Sequence, residues 1–194
     1  MRHRKRGTTL EDAIHAAVFE ELADVGYAAF TIESVAARAQ TGKASIYRRW
    51  PTKQELVLDS FCARFGGSDE ITERMLSEDA STRDLLVHVA LRIWRLSSLA
   101  AEAVRAVACE VTHNPALAAA IDERVNCPKR AALVALLDRG VARGEVRPDA
   151  ASELYAEVLP SMLMARVILM NRRLTQSDVV EIVDGVVMPL ISPR

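Results

Sequence analysis

Apolar residues recur along most of this chain at the three- and four-residue spacing of amphipathic helices. Between residues 31 and 39, four of them form one stripe at i, i+3, i+4 and i+7: Ile32, Val35, Ala36 and Ala39. Thr31, just before this stripe, is a favourable N-cap residue, and Glu33 places negative charge in the first turn. The pattern predicts a short helix that begins after Thr31.

A second helix is predicted from Gly42 to Trp50. Gln40-Thr41-Gly42 suits a tight turn, Thr41 can cap the helix, and Pro51 stops it. Ile46 and Trp50 lie four residues apart and can anchor the helix inward. Its other positions carry small, basic and aromatic side chains: Lys43, Ala44, Ser45, Tyr47, Arg48 and Arg49.

A helix with one buried side and a basic outer side suits the major groove of DNA. Lys43 and Ser45 can reach base edges, and the longer Tyr47, Arg48 and Arg49 can reach bases or phosphates. Lys53 lies at the N-terminus of the next helix, in a Thr52–Glu55 capping box, where a phosphate is favoured. The predicted DNA-binding residues are Thr31, Thr41, Gly42, Lys43, Ala44, Ser45, Tyr47, Arg48, Arg49 and Lys53.

The spacing of apolar residues in the rest of the chain also predicts helices, and no segment has the alternating pattern of a β-strand. We therefore predict an all-α fold of about nine helices. One face of the first helix ends at Gly26, and later N-caps are expected at Ser81, Asn114, Asp149 and Thr175. Proline is expected to break or kink a helix at Pro128, to kink one at Pro160, and to follow the last helix at Pro189.

The division into domains follows from the break at Gly66-Gly67-Ser68. Residues 1–7 are predicted to be a disordered basic arm, residues 8–66 a three-helix helix-turn-helix domain, and residues 67–194 a second helical domain. Charge is consistent with this division, although the whole chain carries a net charge of −1. From Arg38 to Lys53 there are five basic residues and no acidic one, and a local basic face is what phosphate binding requires.

Bulk composition excludes several other classes of protein. No apolar run in the 194 residues approaches the ~18–20 needed to span a bilayer, and the N-terminal basic residues are not followed by the apolar core of a signal peptide. Cys62, Cys109 and Cys127 have no C-x-x-C spacing, so we expect reduced, buried or half-buried thiols in a cytoplasmic protein.

Two other functions are alternatives to DNA binding for an all-helical chain of this length. An enzyme is disfavoured because G-x-S-x-G, Walker, Rossmann and H-E-x-x-H motifs are missing, and the single E-x-x-H of residues 110–113 lacks the second copy that a di-metal bundle uses. We expect no cofactor and no metal. The other alternative is a helical ligand-binding or protein-interaction module without operator-specific DNA binding.

The stretch VAARAQTGKASIYRRWPTKQEL resembles the DNA-binding domain of TetR-family transcriptional regulators. The family commonly shows the run K-x-x-[IL]-Y-x-[HRY]-[FW]-x-[ST]-K-x-x-L, which here is Lys43, Ile46, Tyr47, Arg49, Trp50, Thr52, Lys53 and Leu56. The resemblance covers about residues 8–60. Gln40 departs from it, because many members have Gly there. If the turn needs positive φ, Gln40 is strained by roughly 1 kcal/mol.

The resemblance implies a regulator, usually a repressor, that a small-molecule effector releases from double-stranded operator DNA. It makes residues 67–194 the domain for effector binding and dimerisation. It also implies an N-terminal arm able to touch the minor groove, and a homodimer built on the last two helices. The dimer interface is expected to include Val158, Ala165, Leu169, Ile182, Val183, Val186, Val187 and Leu190. An apolar effector pocket is expected to be lined by Leu91, Trp94, Cys109, Tyr155, Met162 and Met164.

Overall fold

The structure, a computed structural model, describes residues 8–66 and 80–193. The basic arm predicted for residues 1–7 lies outside them. The described residues form nine helices and no strand, as the sequence predicted. The helices are α1 (Thr8–Ala29), α2 (Ile32–Arg38), α3 (Lys43–Tyr47), α4 (Lys53–Phe65), α5 (Thr82–Leu99), α6 (Ala101–Val111), α7 (residues 115–142), α8 (residues 153–169) and α9 (residues 176–191).

The helices group into two compact units. The first holds the described residues up to Arg64 together with Ala100–Asp122, and the second holds the described residues of Phe65–Leu99 and Glu123–Arg194. This grouping differs from the division expected from the sequence, because α6 packs along α1 and so joins the first unit. Buried Ala103, Val104 and Val107 supply the side of α6 that accounts for this packing.

The core of the first unit forms on the apolar face predicted for α1. Ile14, Val18 and Leu22 are fully buried. Phe19 stacks on Phe61 of α4, with ring centroids 5.1 Å apart and an angle of 25° between the rings. Val25, three residues after Leu22, is 45% exposed. The helical geometry of α1 is interrupted next to it, because Gly26 has a φ of 74° and a ψ of 173°.

Most of the predicted helix starts are formed. The hydroxyl oxygens of Thr31, Ser81 and Thr175 and the side-chain oxygen of Asn114 each accept a hydrogen bond from the backbone N–H three residues on. Thr52 and Glu55 form the expected reciprocal pair at the start of α4. Asp149 is different, since it lies in a 3₁₀ turn, Pro148–Ala150, and α8 begins only after Ser152.

Each of the last three helices contains a π-helical turn: Asp122–Asn126 in α7, Ala165–Leu169 in α8 and Val183–Val187 in α9. The first and third turns contain the residue four positions before a proline, Arg124 before Pro128 and Gly185 before Pro189. A proline ring clashes with the carbonyl at i−4, and a wider turn relieves that clash. The expected end of α9 before Pro189 is therefore wrong, since the helix continues to Ile191, and α7 passes through Pro128 to Ala142.

The second unit packs α5, α7, α8 and α9 around one apolar core. The start of α5 is held from a distance, because Glu145 Oε2 accepts a hydrogen bond from the Thr82 backbone N–H at 2.6 Å. Gly140, near the C-terminal end of α7, lies close to the Thr82 side chain. A Cβ at Gly140 would meet Val146 Cγ2 at 2.5 Å and Thr82 Oγ1 at 2.6 Å.

Candidate DNA-binding surface

The turn between α2 and α3 sets the direction of the predicted recognition helix. Gln40 adopts a φ of 55°, and the Thr41 backbone N–H closes the turn by donating to the Ala36 carbonyl at 2.9 Å. Gly42, in an extended conformation, is the N-cap of α3 and supplies no side-chain hydrogen bond. The prediction that Thr41 caps this helix is therefore wrong by one residue. The positive φ on which the expected strain at Gln40 depends is present.

α3 is shorter than expected and presents one side to solvent. Helical geometry covers Lys43–Tyr47 instead of Gly42 to Trp50. Ile46 is fully buried and Trp50 is 7% exposed, so both anchor inward as predicted. The side chains left outside are Lys43, Ala44, Tyr47 and Arg48, together with half-buried Ser45. This set has two positive charges, a phenol and two small residues, which suits contact with a phosphate-lined groove.

Tyr47 is the aromatic member of this set and lies beside an acid. It is 42% exposed, and its hydroxyl donates a hydrogen bond to Glu33 Oε1 at 3.3 Å. Partial desolvation, then the charge of Glu33 and this hydrogen bond, raise the pKa of the Tyr47 phenol above its ordinary value. Tyr47 is therefore protonated at neutral pH, but its single hydroxyl proton is donated to Glu33, so a hydrogen bond to a phosphate would require the contact with Glu33 to open.

Thr31, the other hydroxyl-bearing residue predicted at this surface, caps α2. Its Oγ1 accepts from the Ser34 backbone N–H at 3.1 Å and lies 2.5 Å from Ser34 Oγ. The hydroxyl is exposed at the N-terminus of α2, where unpaired backbone N–H groups favour an anion.

Arg49 is placed differently from Arg48. Its Nε donates to Glu11 Oε1 of α1 at 3.0 Å, and its Nη1 donates to the Ser45 carbonyl at 3.2 Å. The Arg49 side chain is 27% exposed. Its charge is therefore paired with α1, and the structure does not bring it together with the exposed set of α3.

Lys53 is held at the start of α4 by the end of α1. Its Nζ donates to the Tyr27 carbonyl at 3.0 Å and lies 4.6 Å from the centroid of the Tyr27 ring. An ammonium group has three donors, so this contact leaves donors for a further acceptor. The expected phosphate contact stays a prediction.

The charge of Arg38, one of the five basic residues between Arg38 and Lys53, is paired with acidic side chains of α1. Its Nη2 lies 2.8 Å from Glu21 Oε2 and 2.7 Å from Asp24 Oδ2, and its Nη1 lies 3.6 Å from Glu20 Oε2. The hydrogen bonds to Glu21 and Asp24 raise the pKa of Arg38 further. Arg38 therefore fastens α2 to α1 and adds little to the basic face.

Sequence reasoning missed the acids that hold these cations. Glu11 and Arg49 are 38 residues apart, and Glu21 and Arg38 are 17 apart. Neither separation is a helical spacing, so only the packing of α1 against the helix-turn-helix brings them together. The available signal was the number of acids on α1, four of which face basic residues of the hairpin: Glu11, Glu20, Glu21 and Asp24.

The residues predicted for the effector pocket do not share one unit. Leu91, Trp94, Tyr155 and Met162 are half-buried against the core of the second unit. Met164 is half-buried on α8, where its sulfur accepts a hydrogen bond from Ser97 Oγ at 3.3 Å. Cys109 is exposed and belongs to the first unit, whereas the other five residues belong to the second. Cys127 is also exposed and Cys62 is half-buried, so two of the three thiols are more open than expected.

The residues predicted for dimerisation divide by helix face. Ile182, Val183 and Val187 belong to the core of the second unit, and their inclusion in an interface is a misassignment. Their side of α9 packs inward, and each is at most 4% exposed. Val158, Ala165 and Val186 are half-buried, whereas Leu169 and Leu190 are 79% and 40% exposed. The sequence missed two further exposed apolar residues on and next to α8, Leu154 and Met170.

The E-x-x-H segment does not assemble a metal site. Glu110 Oε1 accepts from Asn114 Nδ2 at 3.5 Å, and His113 Nδ1 lies 2.7 Å from Thr112 Oγ1. Among the residues that the structure describes, no group of three His, Cys, Asp or Glu side chains is arranged to hold a metal ion. Over the same residues, no helix is both long enough and apolar enough to cross a membrane.

Comparison with known proteins decides the family. Residues 14–59 match the bacterial regulatory proteins of the tetR family, and residues 78–186 match the tetracyclin repressor-like C-terminal domain. The chain belongs to the TetR family. It is thus a transcriptional regulator with a DNA-binding domain, as the α3 motif indicated.

Relatives in the TetR family match over nearly the whole chain. An HTH-type transcriptional regulator of Mycobacterium tuberculosis strain H37Rv is 34% identical over 182 residues, which cover 94% of this chain and 88% of the relative. The DNA-binding transcriptional repressor TetR of Mycobacteroides abscessus is 31% identical over 191 residues, which cover 97% of each chain.

Solved structures show the same TetR-family fold at lower identity. The fatty acid degradation regulator FadR of Bacillus halodurans superimposes with a TM-score of 0.76 at 20% identity, covering 95% of this chain and 97% of the other. FadR of Bacillus subtilis, solved in complex with stearoyl-CoA, has a TM-score of 0.72 at 20% identity and covers 92% and 96%.

Proposed function

We propose that this protein is a cytoplasmic repressor that binds operator DNA as a homodimer and is released by a small-molecule effector. The observation that carries the DNA-binding part is the exposed side of α3. Lys43, Tyr47 and Arg48 point to solvent there, while Ile46 and Trp50 fix the helix from beneath. A relative at 31% identity is named as a repressor, which supports the direction of regulation.

Two kinds of contact are assigned within this surface. Lys43, in the first turn of α3 beside Ala44, is assigned to base edges, because small neighbours let the helix approach the groove floor. Lys53, at the start of α4, is assigned to a phosphate, which positions the protein on any sequence. Substitutions of the two lysines therefore test base recognition and phosphate binding separately.

The test is a titration of the full-length chain onto a labelled duplex from upstream of its own gene, at several salt concentrations. Replacing Lys43 by Ala is expected to relax sequence preference, with a loss of about 1–3 kcal/mol on the preferred duplex. Replacing Lys53 by Ala is expected to weaken binding to all duplexes alike and to lower the salt slope by about 1. Arg172→Ala, the same kind of charge removal at an exposed site in the second unit, is the matched control.

The same titration discriminates against an interaction module that lacks operator-specific binding. Such a module would show a salt slope near zero and no preference between the upstream duplex and a scrambled one. Unchanged affinity after both Lys43→Ala and Lys53→Ala would mean that α3 is not the DNA-contacting element.

The homodimer is proposed because a palindromic operator needs two recognition helices about one turn of DNA apart (~34–36 Å). The exposed apolar side chains of α8 and α9, Leu154, Leu169 and Leu190, support pairing at these helices. Sedimentation that shows a monomer at micromolar concentration would contradict this part of the proposal.

The effector is proposed to act on the second unit by shifting its population between a DNA-binding and a released form. It weakens DNA binding by no more than its difference in affinity for the two forms. Leu91, Trp94, Tyr155, Met162 and Met164 are the proposed lining, since their aromatic and thioether groups suit an apolar ligand. Stearoyl-CoA, held by a FadR of the same fold, is the first probe, with release of the bound duplex as the measurement.

A further inference from the structure

Trp50, just after α3, is held by a polar cluster that contributes nothing to the exposed DNA-facing set. Its indole Nε1 donates to Asp59 Oδ2 of α4 at 2.8 Å. The His15 ring of α1 meets the Trp50 ring edge-on, with centroids 5.6 Å apart and an angle of 69° between the planes. His15 Nε2 lies 3.9 Å from the same Asp59 oxygen. Two separate helices, α1 and α4, therefore converge on one indole.

The number of protons on Ser60 and His15 determines the direction of the hydrogen bonds in this cluster. The Ser60 hydroxyl donates to the Leu56 carbonyl at 2.7 Å, which uses its single proton. His15 Nδ1, 2.8 Å from Ser60 Oγ, must then be the donor in that contact. His15 is thereby oriented by buried Ser60, and it supports Trp50 by ring packing, because its Nε2 lies 3.9 Å from Asp59 Oδ2, too far for a hydrogen bond.

The orientation of α3 must be set by contacts with other helices, because α3 is very short. Lys43–Tyr47 is little more than one helical turn, and a helix of that length is not stable by itself. Its direction must come from the residues that anchor it. Ile46 does so by apolar packing, which is non-directional. The Trp50 N–H does so by a hydrogen bond, which is directional and points at one carboxylate oxygen.

We propose that Asp59 is a positioning residue for DNA recognition that sets the angle of α3 through the Trp50 indole, against which the His15 ring packs. Neither carboxylate nor imidazole touches DNA in this role. The assignment rests on the proposed function, since it concerns how the α3 surface is presented to an operator. Its consequence is that sequence discrimination depends on a half-buried hydrogen bond on the far side of the recognition helix.

A general contribution to folding is the competing explanation, and Phe61 provides the matched control. Phe61 lies two residues from Asp59, on the opposite side of α4, and packs on Phe19 of α1. Phe61→Leu is expected to destabilise the first unit through lost packing while leaving the Trp50–Asp59 hydrogen bond in place. A variant that acts through stability alone should behave like Phe61→Leu.

The experiment compares full-length wild type with Asp59→Ala, Asp59→Asn, Trp50→Phe, the Asp59→Ala/Trp50→Phe double variant and Phe61→Leu. The duplex is one that the wild type selects from random sequence, paired with a scrambled duplex. Asp59→Ala and Trp50→Phe are each expected to lower the operator-to-scrambled affinity ratio about tenfold, the factor that corresponds to one hydrogen bond to a charged group. The double variant should equal either single one, because both remove the same contact.

Asp59→Asn keeps an acceptor for the indole N–H and is expected to retain most of the wild-type ratio. A nuclear magnetic resonance spectrum gives an independent readout. The indole N–H signal that disappears in Trp50→Phe should move in Asp59→Ala and stay near its place in Phe61→Leu.

The outcomes are decisive in different ways. If the wild type prefers no duplex, the proposed function fails, and the positioning role fails with it. If the wild type discriminates and Asp59→Ala discriminates equally well, only the positioning role is overturned. It is equally overturned if Phe61→Leu lowers the ratio as much as Asp59→Ala does, or if the losses in the double variant multiply.

Discussion

Gln40 carries backbone strain at the turn of the helix-turn-helix. A residue with a Cβ at a φ of 55° is disfavoured relative to Gly, and Gln40 is exposed, so no packing is lost on truncation. Gln40→Gly is therefore expected to raise the free energy of unfolding by about 1 kcal/mol, as measured by urea denaturation. Gln40→Ala keeps the Cβ and should give no such gain. A loss of stability in Gln40→Gly would show that the turn draws support from the glutamine side chain.

Gly140 is the opposite case, a residue whose missing side chain is needed. An added Cβ would lie 2.5 Å from Val146 Cγ2 and 2.6 Å from Thr82 Oγ1, closer than such atoms approach. Gly140→Ala is expected to cost about 1–3 kcal/mol through overpacking, as measured by thermal and denaturant unfolding.

Gly185 gives the control for Gly140. A Cβ at Gly185 would meet nothing within 4 Å, so Gly185→Ala should be neutral or stabilising by up to about 1 kcal/mol, the helix preference of Ala over Gly. Equal behaviour of the two variants would contradict the close packing described at Gly140.

Single residues also show where reasoning from the sequence reached its limit. The inward positions of Ile46 and Trp50 were predictable because helical spacing alone decides them. The ion pairs of Arg38 and Arg49 were not predictable, because they depend on which side chains of α1 lie opposite these residues in the folded protein. A cation that looks free in sequence can be fully paired in the fold, and long-range pairing has no local signature.

At the scale of elements, Glu145 shows one helix being capped by another part of the chain. Partial burial disfavours the Glu145 carboxylate, but hydrogen bonds from the Thr82 backbone N–H and from Arg143 outweigh it and lower the pKa to about 2. The folded pKa lies below the ordinary 4.5, so this stabilisation is fully present above pH 4.5 and is lost as the pH falls towards 2.

Glu145→Gln is therefore expected to destabilise the protein at pH 7 by roughly 1.5–3 kcal/mol, the value of a hydrogen bond to a charged group. Between pH 4.5 and 2 the variant should lose less further stability than the wild type does, because the titrating group is gone. Denaturation curves at pH 7, 4.5 and 3 check both points. Glu181→Gln, on an exposed site of α9, is the control, and a wild-type-like pH profile in Glu145→Gln would remove the capping role.

Helix starts were far more predictable than helix ends. Caps at Thr31, Asn114 and Thr175 depend on side chains within three residues, so the sequence holds all the information needed. The continuation of α7 and α9 through proline was not predictable in the same way. It depends on π turns whose cost is offset by packing against the rest of the second unit.

For the whole molecule, the apolar surface of α9 posed a question that periodicity cannot answer. Apolar residues cover more than one side of this helix, and the sequence alone assigned five of them to a dimer interface: Ile182, Val183, Val186, Val187 and Leu190. Packing within the second unit takes Ile182, Val183 and Val187, whereas Leu190 is left partly exposed. The π turn of Val183–Val187 also shifts the helical phase of the residues after it, by about the 100° of one residue.

Leu169 offers the sharpest test of the proposed homodimer. It is 79% exposed on α8, and a two-fold interface would contain it twice. Leu169→Glu is expected to raise the dimer dissociation constant by at least tenfold, because each buried leucine contributes about 1.5–3 kcal/mol. Leu99, 78% exposed at the end of α5, gives an almost equally exposed control. Light scattering over a concentration series should show monomers for Leu169→Glu and wild-type behaviour for Leu99→Glu. If both variants stay dimeric with unchanged thermal stability, pairing occurs away from this part of α8.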